Sequence, residues 1–181
     1  MRALVQDMAR HQYARPVVIL SNVAQAPGIA WARQQGLATT IVDHRVFGKD
    51  RAGFEHALNA ALQPYAPQII CLAGFMRVLT KDFVELWDGH ILNIHPSLLP
   101  KYRGLNTHAR ALANGDLAHG CTVHEVTAAL DEGPILGQAR VKVATDDTTE
   151  TLAAKVLRKE HLLYPHVLRR FVRNDRRRVD L

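Results

Sequence analysis

The chain has 181 residues, 48% of them hydrophobic, with a formal net charge of +6 and two cysteines. That length and composition suit one folded domain with a sizeable core and exclude global disorder. Six arginines (Arg169, Arg170, Arg173, Arg176, Arg177 and Arg178) crowd into RRFVRNDRRR, so the positive excess reads as a solvated, frayed C-terminal tail over 172–181, and nucleic acid is not an expected partner.

No apolar run approaches the ~18 residues of a membrane span, and no basic, apolar and cleavage-site pattern opens the chain. Cys71 and Cys121 lack CxxC spacing and cannot form a disulfide framework. Membrane partners are not expected, and the cytoplasm is the expected location.

In chain order, MRALVQDMARHQ (1–12) reads as a helix, PVVILS (16–21) as a buried strand, APGIAWARQQG (26–36) as a helix stopped by Gly36, and ATTIVD (38–43) as a strand. A helix over 51–65 carries Phe54, Leu58 and Leu62 on one stripe. QIICLAG (68–74) is the next strand, TKDFVELW (80–87) a short helix, and HILNIH (90–95) a fourth strand. A helix at 107–115, strands at 120–127 and 134–143, and a long helix from Thr148 to Phe171 complete the order. The βαβ rhythm with apolar strands predicts an α/β fold whose mostly parallel sheet carries helices on both faces.

The strand at 90–95 runs into NIHPSLLPKYRG. Its period of two sends Ile94 to one face and Asn93 with His95 to the other, and Pro96 ends the strand. Ligands of open α/β sheets bind beyond the carboxyl ends of the strands, so the pair stands where chemistry is expected. Asp131, in the turn AALDEGPIL, is the third candidate. A carboxylate near His95 would favour the imidazolium, and Asn93 could donate its amide to a developing oxyanion. Amide, imidazole and carboxylate without a nucleophilic Ser or Cys suit direct acyl transfer to an external amine. Ser97 lacks a nucleophile elbow and reads as a loop hydrogen-bonder. His124 reads equally as a structural histidine or as a partner of the site.

LAGFMRVL (72–79), NIHPSLLPKYRG (93–104), GCTVHEVTAALDEGPI (120–135) and KEHLLYP (159–165) together resemble the phosphoribosylglycinamide formyltransferase family, folate-dependent enzymes of purine synthesis. The resemblance runs from the first residue to about Phe171. It implies a Rossmann-like formyl transferase fold over 1–171 and formyl transfer from 10-formyltetrahydrofolate to the amine of glycinamide ribonucleotide. By the same resemblance Asn93, His95 and Asp131 are catalytic: Asn93 and His95 stabilise a tetrahedral oxyanion, and Asp131 keeps His95 charged. Met76, Arg77, Val78 and Leu79 would line the folate pocket with Asn93, Arg51 would contact the folate, and Glu160 the ribonucleotide.

The family opens with a strand and a Gly/Ser/Asn loop that holds the substrate phosphate, and 1–12 resembles the helix after that loop. The first strand and phosphate loop are therefore expected to be missing from the chain as written. Methionyl-tRNA formyltransferase and formyltetrahydrofolate hydrolase share the Asn-x-His and Asp arrangement, but YRGLNTHARAL resembles the ribonucleotide enzyme. No HExxH occurs among the ten histidines, and no metal is expected.

Overall fold

A computed structural model describes all 181 residues. Seven strands and six α-helices follow one another as α1 (Arg2–His11), β1 (Ile19–Ser21), α2 (Pro27–Gln34), β2 (Thr39–Ile41), α3 (Arg51–Leu62), β3 (Ile70–Leu72), α4 (Lys81–Leu86), β4 (Ile91–His95), α5 (Thr107–Ala113), β5 (Ala118–Glu125), β6 (Ile135–Lys142), α6 (Thr149–Phe171) and β7 (Val179–Asp180).

Local chemistry sets these boundaries. Pro27 opens α2, where a missing N–H costs nothing. The Asp50 carboxylate accepts the Gly53 N–H at 2.9 Å to cap α3, and the Thr80 hydroxyl accepts the Phe83 N–H at 3.3 Å to cap α4. Thr148 and Thr151 form a reciprocal capping box at the start of α6. A short 3₁₀ turn, His44–Phe47, had no periodicity to announce it; the Asp43 side chain accepts from Arg45 N–H and nucleates it.

The strands fall into two sheets. One is the parallel pair β1–β2, and the other has the order β3-β4-β5-β6-β7. β3–β4 and β6–β7 are parallel, whereas β4–β5 and β5–β6 are antiparallel. A cavity of about 1160 Å³ lies between the sheets, lined by Leu20 of β1 and Ile70 and Leu72 of β3 among others. Its lining includes β1 and β3, which are only half-buried, as is β2, while β5 is buried from His119 to His124.

Side chains alternate across β4 as a period of two requires. Leu92, fully buried, and Ile94 pack into a core with Leu4 of α1, Cys121 and Val123 of β5, and Leu152, Val156 and Leu163 of α6. Ile91 faces the other way, against Phe54 and Leu58 of α3 and Phe83 of α4. Burial at these two cores is worth roughly 1.5–3 kcal/mol for each large side chain. The Tyr164 hydroxyl of α6 donates to the Leu92 carbonyl at 2.9 Å inside the core, fixing the strand that bears Asn93 and His95. Burial pushes both cysteine thiols up to about 12, so neither is a nucleophile at neutral pH.

The expectation of a frayed basic terminus is corrected. Val179 is buried and β7 pairs with β6. Arg170 and Arg177 both bond Asp175, the Arg176 guanidinium lies 3.4 Å from the Phe171 ring centroid, and Arg178 donates to Gln138 Oε1 at 2.7 Å. Carboxylates, a ring and an amide within reach of the arginines draw the segment onto the sheet. No helix is long and apolar enough to cross a membrane.

Candidate active site

Asn93 and His95 stand at the carboxyl end of β4, on the face shared with Ile91. Pro96 follows, and the chain turns so that Ser97 N–H donates to the His95 carbonyl at 2.9 Å. Two elements approach this strand end. β5 runs antiparallel beside it, with His124 opposite Asn93 and Thr122 opposite His95. The connection from β5 to β6 then folds back and delivers Asp131.

The loop after β4 is held rigidly. The fully buried Ser97 donates to the Lys101 carbonyl at 2.6 Å, as a loop hydrogen-bonder should. Thr122 donates to the Ser97 carbonyl at 2.7 Å and accepts the Leu99 N–H at 3.0 Å. These contacts bring Tyr102 round so that its carbonyl accepts from His95 Nε2 at 2.9 Å.

Asp131 lies in the left-handed region at φ 53, a conformation a non-glycine residue holds only where its surroundings determine it. Its Oδ2 lies 3.4 Å from His95 Nδ1, with both side chains more than nine-tenths buried, and the same oxygen accepts the Gly104 N–H at 2.9 Å. Gly104 adopts φ 74, which frees its N–H to point there. Two residues on, the backbone at Gly133 passes so close to β5 that a Cβ would sit 1.8 Å from the Glu125 carbonyl oxygen. Only glycine fits. An ion pair between Arg103 and Glu132 ties the two loops together outside the site.

Electrostatically the four nearby histidines differ. Burial lowers the pKa of His124, and burial with the neighbouring imidazole of His95 lowers that of His108. His119, 1% exposed and 3.2 Å from His108, is pushed down to about 4 by burial first and His108 second. These three are neutral. His95 has the Asp131 carboxylate beside Nδ1 and the Tyr102 carbonyl beside Nε2, an arrangement complementary to an imidazolium.

The remaining expected residues lie farther out. β3 ends beside β4, with Leu72 opposite Asn93, so the chain that follows it, 73–79, leaves from the same edge. Met76 and Val78 expose 72% and 50% of their surface, Leu79 packs against the smaller core, and Arg77 lies 5.9 Å over the Phe54 ring. Leu130, beside Asp131, is 52% exposed, so two loops present apolar side chains at the strand ends. Arg51 is exposed at the start of α3, with no contact to the cluster. Glu160, on α6, is half-buried without an ion pair; burial raises its pKa, and the Met1 amine is the cation that opposes this. Those two are not joined to Asn93, His95 and Asp131 by any direct bond. Tyr102 and Gly104 act through their backbones, which no side-chain pattern announces. No three His, Cys, Asp or Glu side chains gather in a metal-holding group.

A Rossmann-like fold thus brings an amide, an imidazole and a carboxylate together at the end of one strand. Residues 2–168 match the formyl transferase family, and the chain belongs to it. A phosphoribosylglycinamide formyltransferase structure from Brucella melitensis superposes with a TM-score of 0.89 at 48% identity, covering 95% of this chain and 88% of that one. The Escherichia coli phosphoribosylglycinamide formyltransferase is 46% identical over 150 residues, 83% of this chain and 70% of that protein. The trifunctional purine biosynthetic protein adenosine-3 of Bos taurus is 42% identical over 155 residues, 86% of this chain but only 15% of the bovine protein.

Proposed function

We propose that this chain transfers a formyl group from 10-formyltetrahydrofolate to the amine of glycinamide ribonucleotide, a step of purine synthesis. The observation that carries the reading is the convergence of Asn93, His95 and Asp131, two of them from β4 and one from the β5–β6 loop, in a chain of the formyl transferase family that is 46% identical to a phosphoribosylglycinamide formyltransferase.

The folate supplies an electrophilic N-formyl carbon. A second N–H of the Asn93 amide, free of protein partners, donates to the formyl oxygen as it gains charge. His95, with the Asp131 carboxylate at 3.4 Å, presents positive charge to the same oxygen. Its Nε2–H is held by the Tyr102 carbonyl at 2.9 Å, so a modest movement of that loop frees it to donate. Asp131 balances the ring's charge and, through water, takes up the proton shed by the attacking amine; the bond from the formyl carbon to the folate N10 then breaks, N10 receives that proton, and tetrahydrofolate leaves. The exposed Met76 and Val78, with Leu130 facing solvent from the second loop, suit the flat apolar body of a folate, and the backbone of 76–79 offers it polar groups. Arg51 and Glu160 are assigned to the folate and the ribonucleotide by family likeness.

The test is a formyl-transfer assay with glycinamide ribonucleotide and a 10-formylfolate, run beside initiator methionyl-tRNA as acceptor. Formylated ribonucleotide with no formylated tRNA supports the reading. Comparable rates on the tRNA overturn it.

A further inference from the structure

His124 is 2% exposed, in mid-strand on β5 and directly opposite Asn93 across the ladder. The β5–β6 register shifts between Val123 and His124, with Val123 opposite Gly137 and His124 opposite Ile135, so Leu136 is an extra residue on β6. Such a bulge twists the strands locally and re-aims the side chain beside it.

Each ring nitrogen of His124 has its own neighbour. Nδ1 lies 2.9 Å from the Glu125 carbonyl oxygen, which can only accept, so the ring proton is on Nδ1. Nε2 then carries a lone pair, and 3.2 Å from it stands Asn93 Nδ2. An amide oxygen turned toward that lone pair would repel it, so the Glu125 carbonyl dictates, through the ring, which end of the Asn93 amide points where. The Asn93 side chain has no other hydrogen bond to the protein.

The geometry points to His124 as a positioning residue for formyl transfer: in its neutral Nδ1–H form it accepts one Asn93 N–H and so holds the second N–H ready for the formyl oxygen. This rests on the reading of Asn93 as the oxyanion donor. A charged or Nε2-protonated ring would instead donate toward Asp131, whose Oδ1 is 3.7 Å away, and would turn the Asn93 amide around. Burial lowers the pKa of His124, outweighing the opposite pull of the Glu125 carbonyl and of Asp131. A lowered pKa favours the neutral ring that this geometry requires.

The experiment is a double-mutant cycle on the full chain, assayed with glycinamide ribonucleotide and a 10-formylfolate. His124→Leu is expected to lower kcat about tenfold to a hundredfold with KM nearly unchanged, less than loss of the donor itself, on the order of 10² to 10³. His124→Gln, whose Oε1 can accept from Asn93, should recover most of that loss. In the Asn93→Ala background His124→Leu should cost nothing further. An equal cost in both backgrounds, or none in either, overturns the positioning role and leaves the Asn93 reading standing. A silent Asn93→Ala variant removes both. Independently, ¹⁵N spectra of the imidazole nitrogens in the unmodified protein should show the Nδ1–H tautomer for His124, and an Nε2–H tautomer overturns the inference.

Discussion

Asp131 and His95 meet through one oxygen: Asp131 Oδ2 is 3.4 Å from His95 Nδ1 and at the same time accepts the Gly104 N–H at 2.9 Å. Charge on the ring and closure of the loop are thus served by the same atom. Asp131→Asn should lower kcat, because it removes the counter-charge to the imidazolium. If the amide nitrogen turns toward Gly104, that hydrogen bond is lost as well. Steady-state kinetics together with hydrogen exchange at Gly104 separate the two effects, and wild-type kcat in this variant would reject the coupling.

Asn93→Ala and His95→Ala should each cost roughly 10²-fold or more in kcat, the scale of a lost oxyanion donor. Asn93 is only half-buried, so its variant should keep a near wild-type melting temperature. Full activity in both variants would falsify the mechanism.

Acid stability should carry the signature of the buried histidines. Burial pushes the folded His119 down to about 4, below its ordinary 6.5, so between those values the unfolded chain should bind a proton that the folded chain does not. Stability therefore rises with pH across that window: the contribution is complete above pH 6.5 and is lost as the pH falls toward 4. His108 and His124 shift in the same direction, while Asp116 opposes the shift at His119. Urea midpoints measured from pH 7 to 4 should fall, and His119→Gln should flatten the fall. An unchanged slope in that variant would contradict the assignment.

Deleting residues 179–181 should lower the melting temperature on the order of 5 °C, since one buried Val is worth roughly 1.5–3 kcal/mol and a chain of this size shifts ~2–4 °C per kcal/mol. It also strips the Arg140 N–H of its acceptor, the Leu181 carbonyl, at 3.0 Å. Identical calorimetric midpoints would show that the terminus contributes nothing.

The helices and the main strands were legible because their apolar periods and end signals agree: Pro27, Asp50, Thr80 and Thr148 each stand where a helix begins. Asn93, His95 and Asp131 were legible as candidates because strand alternation and a Gly-Pro turn mark them. What escaped were relationships fixed by register or by backbone. The Asn93–His124 pair depends on how β4 and β5 align, and a one-residue slip would have sent His124 to the other face. The Tyr102 carbonyl and Gly104 N–H carry no side-chain signature. The tail misled for a related reason: an arginine run looks solvated until the positions of Asp175, Gln138 and Phe171 are known.

The cavity between the two sheets makes a mechanical seam. On one side β1 and β2 have only each other for ladder partners; on the other, β4 and β5 are braced from both flanks. Thermal opening should therefore begin as a swing of the small unit about the chain leading into β3, with amides at Ile19–Ser21 and Thr39–Ile41 exchanging well before those of β4 and β5. β3 stands between that seam and Asn93 as a buffer. Breathing on one flank should then leave the spacing of the reacting groups on the other unchanged.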